Sequence, residues 1–556
     1  MSIGELLLEK GLITAENLAQ AVALRKRTGQ RLDKTLVELG CITEEQVLRV
    51  VSEQFGIPMV DLSNVKIDVE TLRSLPPKLV YRRGLVPLQK ENGTLRLATS
   101  DPFDLYSFDE VRMLTGLEIQ PVLAPSDEID KVIKTYYGVG GETIDEMMDS
   151  ADLEVLGENN SDSQDLLEMA QEASVIKLVN EVFLEAIKER ATDIHIEPYE
   201  HDLKIRYRID GVLHETTMPT QVRRFQAAII SRIKIMSHLN IAEKRLPQDG
   251  RIQLQVGGRK FDVRVSVIPM LYGEGVVMRL LDHTTVHFTL PQLGMAQDTL
   301  EAFHQIITRP HGIMLVTGPT GSGKTTTLYA ALQEIVSPSI KVLTVEDPVE
   351  YHIDGVNQIQ VVPKVGLTFA RGLRHILRHD PDVVMIGEIR DLETAEAAIQ
   401  AALTGHLVFS TLHTNDACSS ATRLLDMGVE PFLVTSTLEA AMAQRLVRTV
   451  CPECKQPYQP DPARLPDDFK YRPGQTLHHG VGCRKCRGTG YYGRTGLFEL
   501  MVTSERIREK VMDRAPTGKI LATAKAEGLR LLREDGWMKV RAGITTPEEV
   551  IRATKA

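Results

Sequence analysis

The hydrophobic period changes several times along the chain, and each change marks a different architecture. Near the start, Gly11-Leu12-Ile13-Thr14-Ala15-Glu16-Asn17-Leu18 aligns with Gly40-Cys41-Ile42-Thr43-Glu44-Glu45-Gln46-Val47. Each Gly can end a helix in the left-handed conformation, and each Thr can cap the next helix; Thr43 with Gln46 makes a capping box. The pattern predicts two tandem helix-turn-helix units. Residues from about 56 to 137 mix short apolar runs such as Leu95-Arg96-Leu97-Ala98 with helical spacing, a small α+β unit. From Val175 to about Thr285 a helical stretch precedes strands of period two, Leu203–Ile209 and Phe261–Val267, with Asp210-Gly211 as a hairpin turn. From about Leu290 to Arg445 continuous apolar runs alternate with helices, the sign of a parallel sheet buried on both faces. The predicted strands are Ile313–Thr317, Val342–Val345, Val383–Gly387 and Leu407–Thr411.

Between Glu142 and Ser174 there is no Lys or Arg but many Asp and Glu, so the stretch repels itself and buries little; its centre reads as an acidic linker. The predicted organisation is an N-terminal docking or regulatory domain (1–140), the linker (141–172), an α+β domain (173–288), a parallel α/β core (289–446), a cysteine module (447–495) and a helical tail (496–556). A net charge of -10 argues against nucleic acid as a partner. No run approaches the ~20 apolar residues that span a bilayer, and the first residues do not form a signal peptide, so a cytoplasmic location is expected.

Gly318-Pro319-Thr320-Gly321-Ser322-Gly323-Lys324-Thr325 is a complete GxxxxGK[ST] sequence between a predicted strand and a helix beginning near Thr325. Its glycines let backbone N–H groups converge on one anion, and the following helix start adds partial positive charge. Lys324 is placed to reach the β/γ-phosphates and Thr325, beside Thr326, to hold Mg²⁺. Three other predicted strands end in Glu346, Glu388 and His413. At the carboxyl edge of an open sheet these converge on the phosphate, where hydrolysis needs one carboxylate to orient water and another near the metal.

These residues resemble the secretion ATPases of type II secretion and type IV pilus assembly. Gly318–Thr325 looks like the family's Walker A, Leu343–Glu350 like its Asp box, Arg378–Asp391 like its Walker B and Thr404–Asn415 like its His box, in family order. Further matches are Asp193–Pro198, Arg245–Arg251, Leu532–Gly536 and Gly543–Glu549. The resemblance implies a multidomain α/β protein: a RecA-like P-loop motor preceded by a PAS-like domain, with an N-terminal helical and α+β domain and a zinc-binding insertion. It also implies a hexameric ring, with ATP held between the motor and the PAS-like domain. Glu346 becomes the water-orienting base, with Glu388 its rival and support for the metal. Arg251, Arg264 and Arg279, and more weakly Arg208, would reach the γ-phosphate, where a bidentate guanidinium suits an anion. His406 and His413 would link the nucleotide site to the neighbouring domain.

Of six cysteines, four form two CxxC turns, Cys451/Cys454 and Cys483/Cys486. Four thiolates can close a tetrahedral structural Zn²⁺ site if the long spacer folds back. His478 and His479 could substitute as ligands. By resemblance this module meets a membrane platform protein, which would leave the chain peripherally attached to the inner membrane through partners. The N-terminal repeat is similar to the cyclic di-GMP-binding domain of some of these ATPases. Its second copy keeps Arg31, Leu32, Leu36, Gly40 and Gln54, with Asp33 in place of a glycine. The first keeps Gly4, Leu7, Gly11 and Leu18, with Ser2 and Arg25 in place of Arg and Gln. Two readings stay open, cyclic di-GMP binding and protein docking. For the whole chain the expectation is an ATP-driven assembly motor. Its alternatives are a non-hydrolytic nucleotide-gated scaffold and a pilus-retraction motor, though retraction members usually lack the long N-terminal region and the cysteine quartet.

Overall fold

The computed structural model describes residues 3–28, 31–62, 65, 67–91, 93–137, 173–282 and 288–555. The acidic linker at 141–172 lies outside the described residues. The chain divides into two compact units, Met1–Asp282 and His283–Ala556.

The first unit begins with the tandem repeat. Helices Ile3–Glu9 and Ala15–Thr28 are followed by Leu32–Glu38 and Glu44–Phe55. Gly11 and Gly40 adopt φ of 68° and 69°, and Thr43 and Gln46 form the reciprocal cap. Strands β1 (Leu85–Glu91), β2 (Thr94–Thr99) and β3 (Glu118–Leu123) then make a three-stranded sheet with its own core.

A helix, Ala173–Lys188, opens the second part of this unit. Six strands follow: β4 (Asp193–Pro198), β5 (Leu203–Ile209), β6 (Val212–Thr216), β7 (Gln248–Val256), β8 (Arg259–Met270) and β9 (Gly273–Asp282). They form an antiparallel sheet in the order β6-β5-β4-β9-β8-β7. Asp210 and Gly211 take positive φ in the β5–β6 turn. Ile194, Ile196, Ile205, Tyr207, Val263 and Val265 pack one face onto the helices; the alternating residues form a polar face.

The second unit is built on a seven-stranded sheet. Its strands are β10 (Gly312–Thr317), β11 (Val342–Glu346), β12 (Val356–Gln360), β13 (Val383–Ile386), β14 (Leu407–Leu412), β15 (Leu438–Val450) and, after the short pair β16 (Lys455–Tyr458) and β17 (Leu477–Gly480), β18 (Tyr491–Val502). The order is β12-β11-β13-β14-β10-β15-β18, all parallel except β18. Apolar cores cover both faces: Ile313 and Leu315 of β10 look one way, Met314 and Val316 the other. This explains the unbroken apolar runs in the sequence. The chain positions 447 and 496 fall inside β15 and β18, so the cysteine module hangs from a hairpin whose strands belong to the main sheet. No helix among the described residues is long and apolar enough to cross a membrane.

Candidate active site

Parallel strands present all their carboxyl ends at one edge, and the candidate residues collect there. β10 and β14 end in register, Thr317 opposite Leu412, so the loop after β10 starts beside His413. That loop, Gly318–Gly323, runs into the helix Lys324–Ile335. Gly318 has φ of 146°, and a Cβ there would stand 2.6 Å from the Gln444 carbonyl and from Ser322 Oγ, so only glycine fits. Lys324 Nζ donates to the carbonyls of Gly318 (2.8 Å) and Pro319 (3.1 Å), closing the loop into a cradle. Ser322 Oγ and Thr317 Oγ1 are buried without a hydrogen-bond partner among the described residues, as expected of a loop shaped for an anion. Burial lowers the Lys324 pKa; the charge of Glu388 opposes this and that of Arg445 adds to it.

Glu388, two residues past the end of β13, pairs with Arg390 Nη2 at 2.5 Å and lies 3.3 Å from His413 Nε2. Lys324, Glu388 and His413 therefore form one cluster. Glu346, the last residue of β11, is on the same edge but buried, at 3% exposure. Thr344, Gln358 and Tyr329 surround its carboxylate, and burial pushes its pKa up against their hydrogen bonds. His406 lies apart from His413. It precedes β14, at the amino end of the strand, so roughly 20 Å of extended chain separates it from His413. Its Nδ1 bonds to the Ala401 carbonyl at 2.8 Å and to Thr404 Oγ1 at 3.1 Å. Strand polarity thus places His406 at the opposite edge of the sheet from His413.

In the first unit, register puts the predicted arginines in a single row. Arg251 of β7 is opposite Arg264 of β8, Arg264 opposite Arg279 of β9, Arg279 opposite Asp193 of β4, and Asp193 opposite Arg208 of β5. Arg279 Nε donates to Asp193 at 3.0 Å, and Arg208 Nε lies 3.7 Å from the same carboxylate. Like charges directly opposite each other across strands are destabilising, so this row is suited to an anion. The N-terminal Arg31 is occupied internally: it donates to Asp33 at 2.7 Å and to Asp101.

The four cysteines of the module converge. All four sulfurs lie within 4.8 Å of one another, with separations of 3.6 Å (Cys451–Cys483), 3.7 Å (Cys454–Cys486) and 3.7 Å (Cys483–Cys486). Zn–S bonds of about 2.3 Å in a tetrahedron require sulfur separations of about 3.8 Å, so the residues present fit zinc. The backbone N–H groups of Cys483 and Gly490 donate to Cys486 Sγ at 3.1 and 3.3 Å, bonds that favour a thiolate. The long spacer folds back through the β16–β17 pair, and the backbones of Gly480 and Gly490 meet closely: a Cβ on Gly480 would stand 2.1 Å from the Gly490 carbonyl oxygen. His478 and His479 are outside the quartet; the His479 ring packs against Tyr458.

The family model described as type II/IV secretion system protein matches residues 168–552, and the MshEN domain model matches residues 55–143. The chain belongs to the type II/IV secretion system protein family. It is 42% identical to the type IV pilus assembly ATPase PilB of Myxococcus xanthus over 99% of this chain and 98% of that one. It is 45% identical to the type II secretion system protein E of Xanthomonas campestris over 100% of this chain and 98% of that one. With the type II secretion system ATPase E of Vibrio cholerae it shares 53% identity over 73% of this chain and 80% of that one. Among solved structures, the ATPase DotB of Yersinia pseudotuberculosis is similar in fold, with a TM-score of 0.51 and 23% identity over 72% of this chain and 97% of that one. As a member of this family the chain is a multidomain α/β protein with a RecA-like core. Its MshEN match begins where the tandem repeat ends.

Sequence reading missed several residues that shape this family member's phosphate loop. Gln444 Oε1 accepts from Thr327 Oγ1 at 2.8 Å, and its carbonyl lies against Gly318. Arg445 donates through Nη2 to the Asn415 carbonyl at 3.1 Å, tying the loop after β14 to β15. Tyr329 joins the phosphate-loop helix to Glu346. The sequence signal for Tyr329 was only that a Tyr set among Leu328, Ala330, Ala331 and Leu332 on a buried helix needs a partner for its hydroxyl, without saying which.

Proposed function

We propose that this chain is an ATP-hydrolysing motor that powers assembly of a type II secretion pseudopilus or a type IV pilus. The observation that supports it most is the closed phosphate cradle of Gly318–Thr325 set against the Glu388–His413 pair. Lys324, with Gly318, Pro319, Thr320, Gly321, Ser322, Gly323 and Thr326 around it, binds the β/γ-phosphates. Thr325 and Glu388 are the residues that hold Mg²⁺, which supplies charge neutralisation on the phosphates when bound. Glu346 takes a proton from the water whose oxygen bonds to the γ-phosphorus, as the bridging P–O bond to ADP breaks. The row Arg251–Arg264–Arg279 is a phosphate-binding surface that stabilises charge on the γ-phosphate, with Arg208 beside it. Cys451, Cys454, Cys483 and Cys486 hold a structural Zn²⁺. The working form is a homohexamer in the cytoplasm, attached to inner-membrane platform and docking proteins of the machine. Arg31 is committed to two carboxylates, which favours protein docking over an anionic ligand for the N-terminal repeat.

ATP turnover of the full-length protein tests this reading. Wild type is expected to hydrolyse ATP, and Lys324→Ala and Glu388→Gln to lose the activity. Equal, background-level turnover in all three proteins refutes the motor and leaves the scaffold.

A further inference from the structure

Glu346 is held more firmly than a strand-end residue needs to be. Its Oε1 accepts from Thr344 Oγ1 at 2.5 Å and from Gln358 Nε2 at 3.2 Å; its Oε2 accepts from the Tyr329 hydroxyl. Tyr329 is fully buried, on the same helix as Lys324 and Thr325. Its ring packs edge-on against Tyr351, with centroids 4.5 Å apart. Its oxygen receives two hydrogen bonds, from the Glu350 N–H and from Gln358 Nε2, each 3.3 Å. A phenol has one proton. With its oxygen already accepting from two N–H donors, that proton points at the carboxylate. The network has one polarity, and it ends on Glu346.

We propose that Tyr329 is the positioning residue for Glu346, holding the carboxylate where it takes the proton of the attacking water and coupling that position to the phosphate-loop helix. The proposal rests on Glu346 as the water-orienting base. The titratable groups facing this carboxylate are Tyr329 from the helix, and Glu350 and Tyr351 from the segment after β11. Burial raises the Glu346 pKa, while the bonds from Thr344, Tyr329 and Gln358 pull it down. Burial also raises the pKa of the Tyr329 hydroxyl, which therefore remains a donor. Removing that hydroxyl lets the Glu346 carboxyl rise further, so the acid limb of turnover moves to higher pH.

The test compares full-length Tyr329→Phe, Glu346→Gln and the double variant by ATP turnover across pH. Tyr329→Phe is expected to lower kcat roughly tenfold, with KM for ATP within about twofold and the acid limb shifted upward, and Glu346→Gln to lower kcat by about a hundredfold or more. Adding Tyr329→Phe to Glu346→Gln is expected to cost nothing further. A wild-type kcat and acid limb in Tyr329→Phe, with Glu346→Gln crippled, overturns the role of Tyr329 alone. Equal loss from Tyr329→Phe in both backgrounds also overturns it, because the residue then acts by packing. Wild-type turnover in Glu346→Gln overturns the base assignment and this proposal with it. A second variant, Gln358→Leu, removes both the donor that orients the hydroxyl and a direct bond to Glu346; combined with Tyr329→Phe it is expected to shift the limb by less than the sum of the two single shifts, and fully additive shifts count against the proposal.

Discussion

Glu549, on the helix Pro547–Thr554, is 2% exposed and fully engaged by two arginines. Its carboxylate accepts from the Arg448 backbone N–H (3.0 Å), Arg448 Nη2 (2.7 Å), Arg552 Nε (3.0 Å) and Arg552 Nη2 (2.7 Å). Burial alone pushes this carboxyl up, but the bonds from Arg552 and Arg448 outweigh it and hold it at about 2, against an ordinary 4.5. Holding the carboxyl at about 2 in the folded chain corresponds to about 3 kcal/mol of stability. The folded pKa is the lower one, so this stability is fully present above about 4.5 and is lost as pH falls toward 2. At pH 3.5 about 2 kcal/mol should remain. Glu549→Gln removes the charge but keeps the shape, leaving the half-buried Arg448 unneutralised. The expected loss at pH 7 is about 3 kcal/mol, or roughly 6–10 °C in Tm for a unit of this size. Trp537, the one tryptophan of the chain, is buried on the adjacent helix Leu532–Arg541, so its fluorescence during urea unfolding reads this part of the molecule. A Tm within about 1 °C of wild type, or a difference that does not shrink between pH 7 and 3.5, refutes the reasoning.

The remaining predictions concern metal and nucleotide. Purified protein should carry one zinc per chain by elemental analysis; Cys454→Ser should release it and lower the melting temperature with the P-loop residues untouched, and wild-type protein free of zinc but equally stable contradicts the assignment. Arg264→Ala should lower kcat/KM for ATP by roughly ten- to a hundredfold, whereas the solvent-facing Arg245→Ala should not, because only the former belongs to the cross-strand row. Arg445→Ala cuts the tie from β15 to Asn415 and should weaken ATP binding several-fold in a fluorescent-nucleotide titration; unchanged affinity shows that the tie does not shape the loop.

Four strands of the second unit, β10, β11, β13 and β14, were legible to within about one residue, because burial on both faces leaves uninterrupted apolar runs ending at polar positions, whereas β12, β15 and β18 of the same sheet were not foreseen. Gly318–Thr325, Glu388 and His413 were legible for the same reason: each lies just past such a run. Register was not. The sequence offered Arg251, Arg264, Arg279 and Arg208 as separate residues on separate strands, and only the pairing shows that they share one line with Asp193. The cysteines suggested a boundary at 447, yet Val447 and Leu497 are buried in the main core, because β15 and β18 extend the sheet well past the motor's last parallel strand crossing. His406 carries the family's motif, but strand polarity puts it at the opposite end of β14 from His413.

The residues the sequence hid share a physical feature: each acts through contacts between different elements. Gln444 and Arg445 reach the phosphate loop from a strand more than a hundred residues downstream, and Gln358 and Tyr329 meet Glu346 from two different elements. Local spacing does not betray which partners such groups meet. They also confine the loop. Gly318 is confined by the Gln444 carbonyl, Gly323 by its side-chain amide at 2.8 Å from a built Cβ, and Lys324 by two loop carbonyls. A cradle held this way needs little reorganisation when a polyphosphate arrives, whereas Lys324 must exchange its carbonyl partners for phosphate oxygens. Binding is therefore expected to break the Lys324 bonds while leaving those of Gln444 intact, which makes the strand β15, and not the loop itself, the element that fixes the geometry of the site.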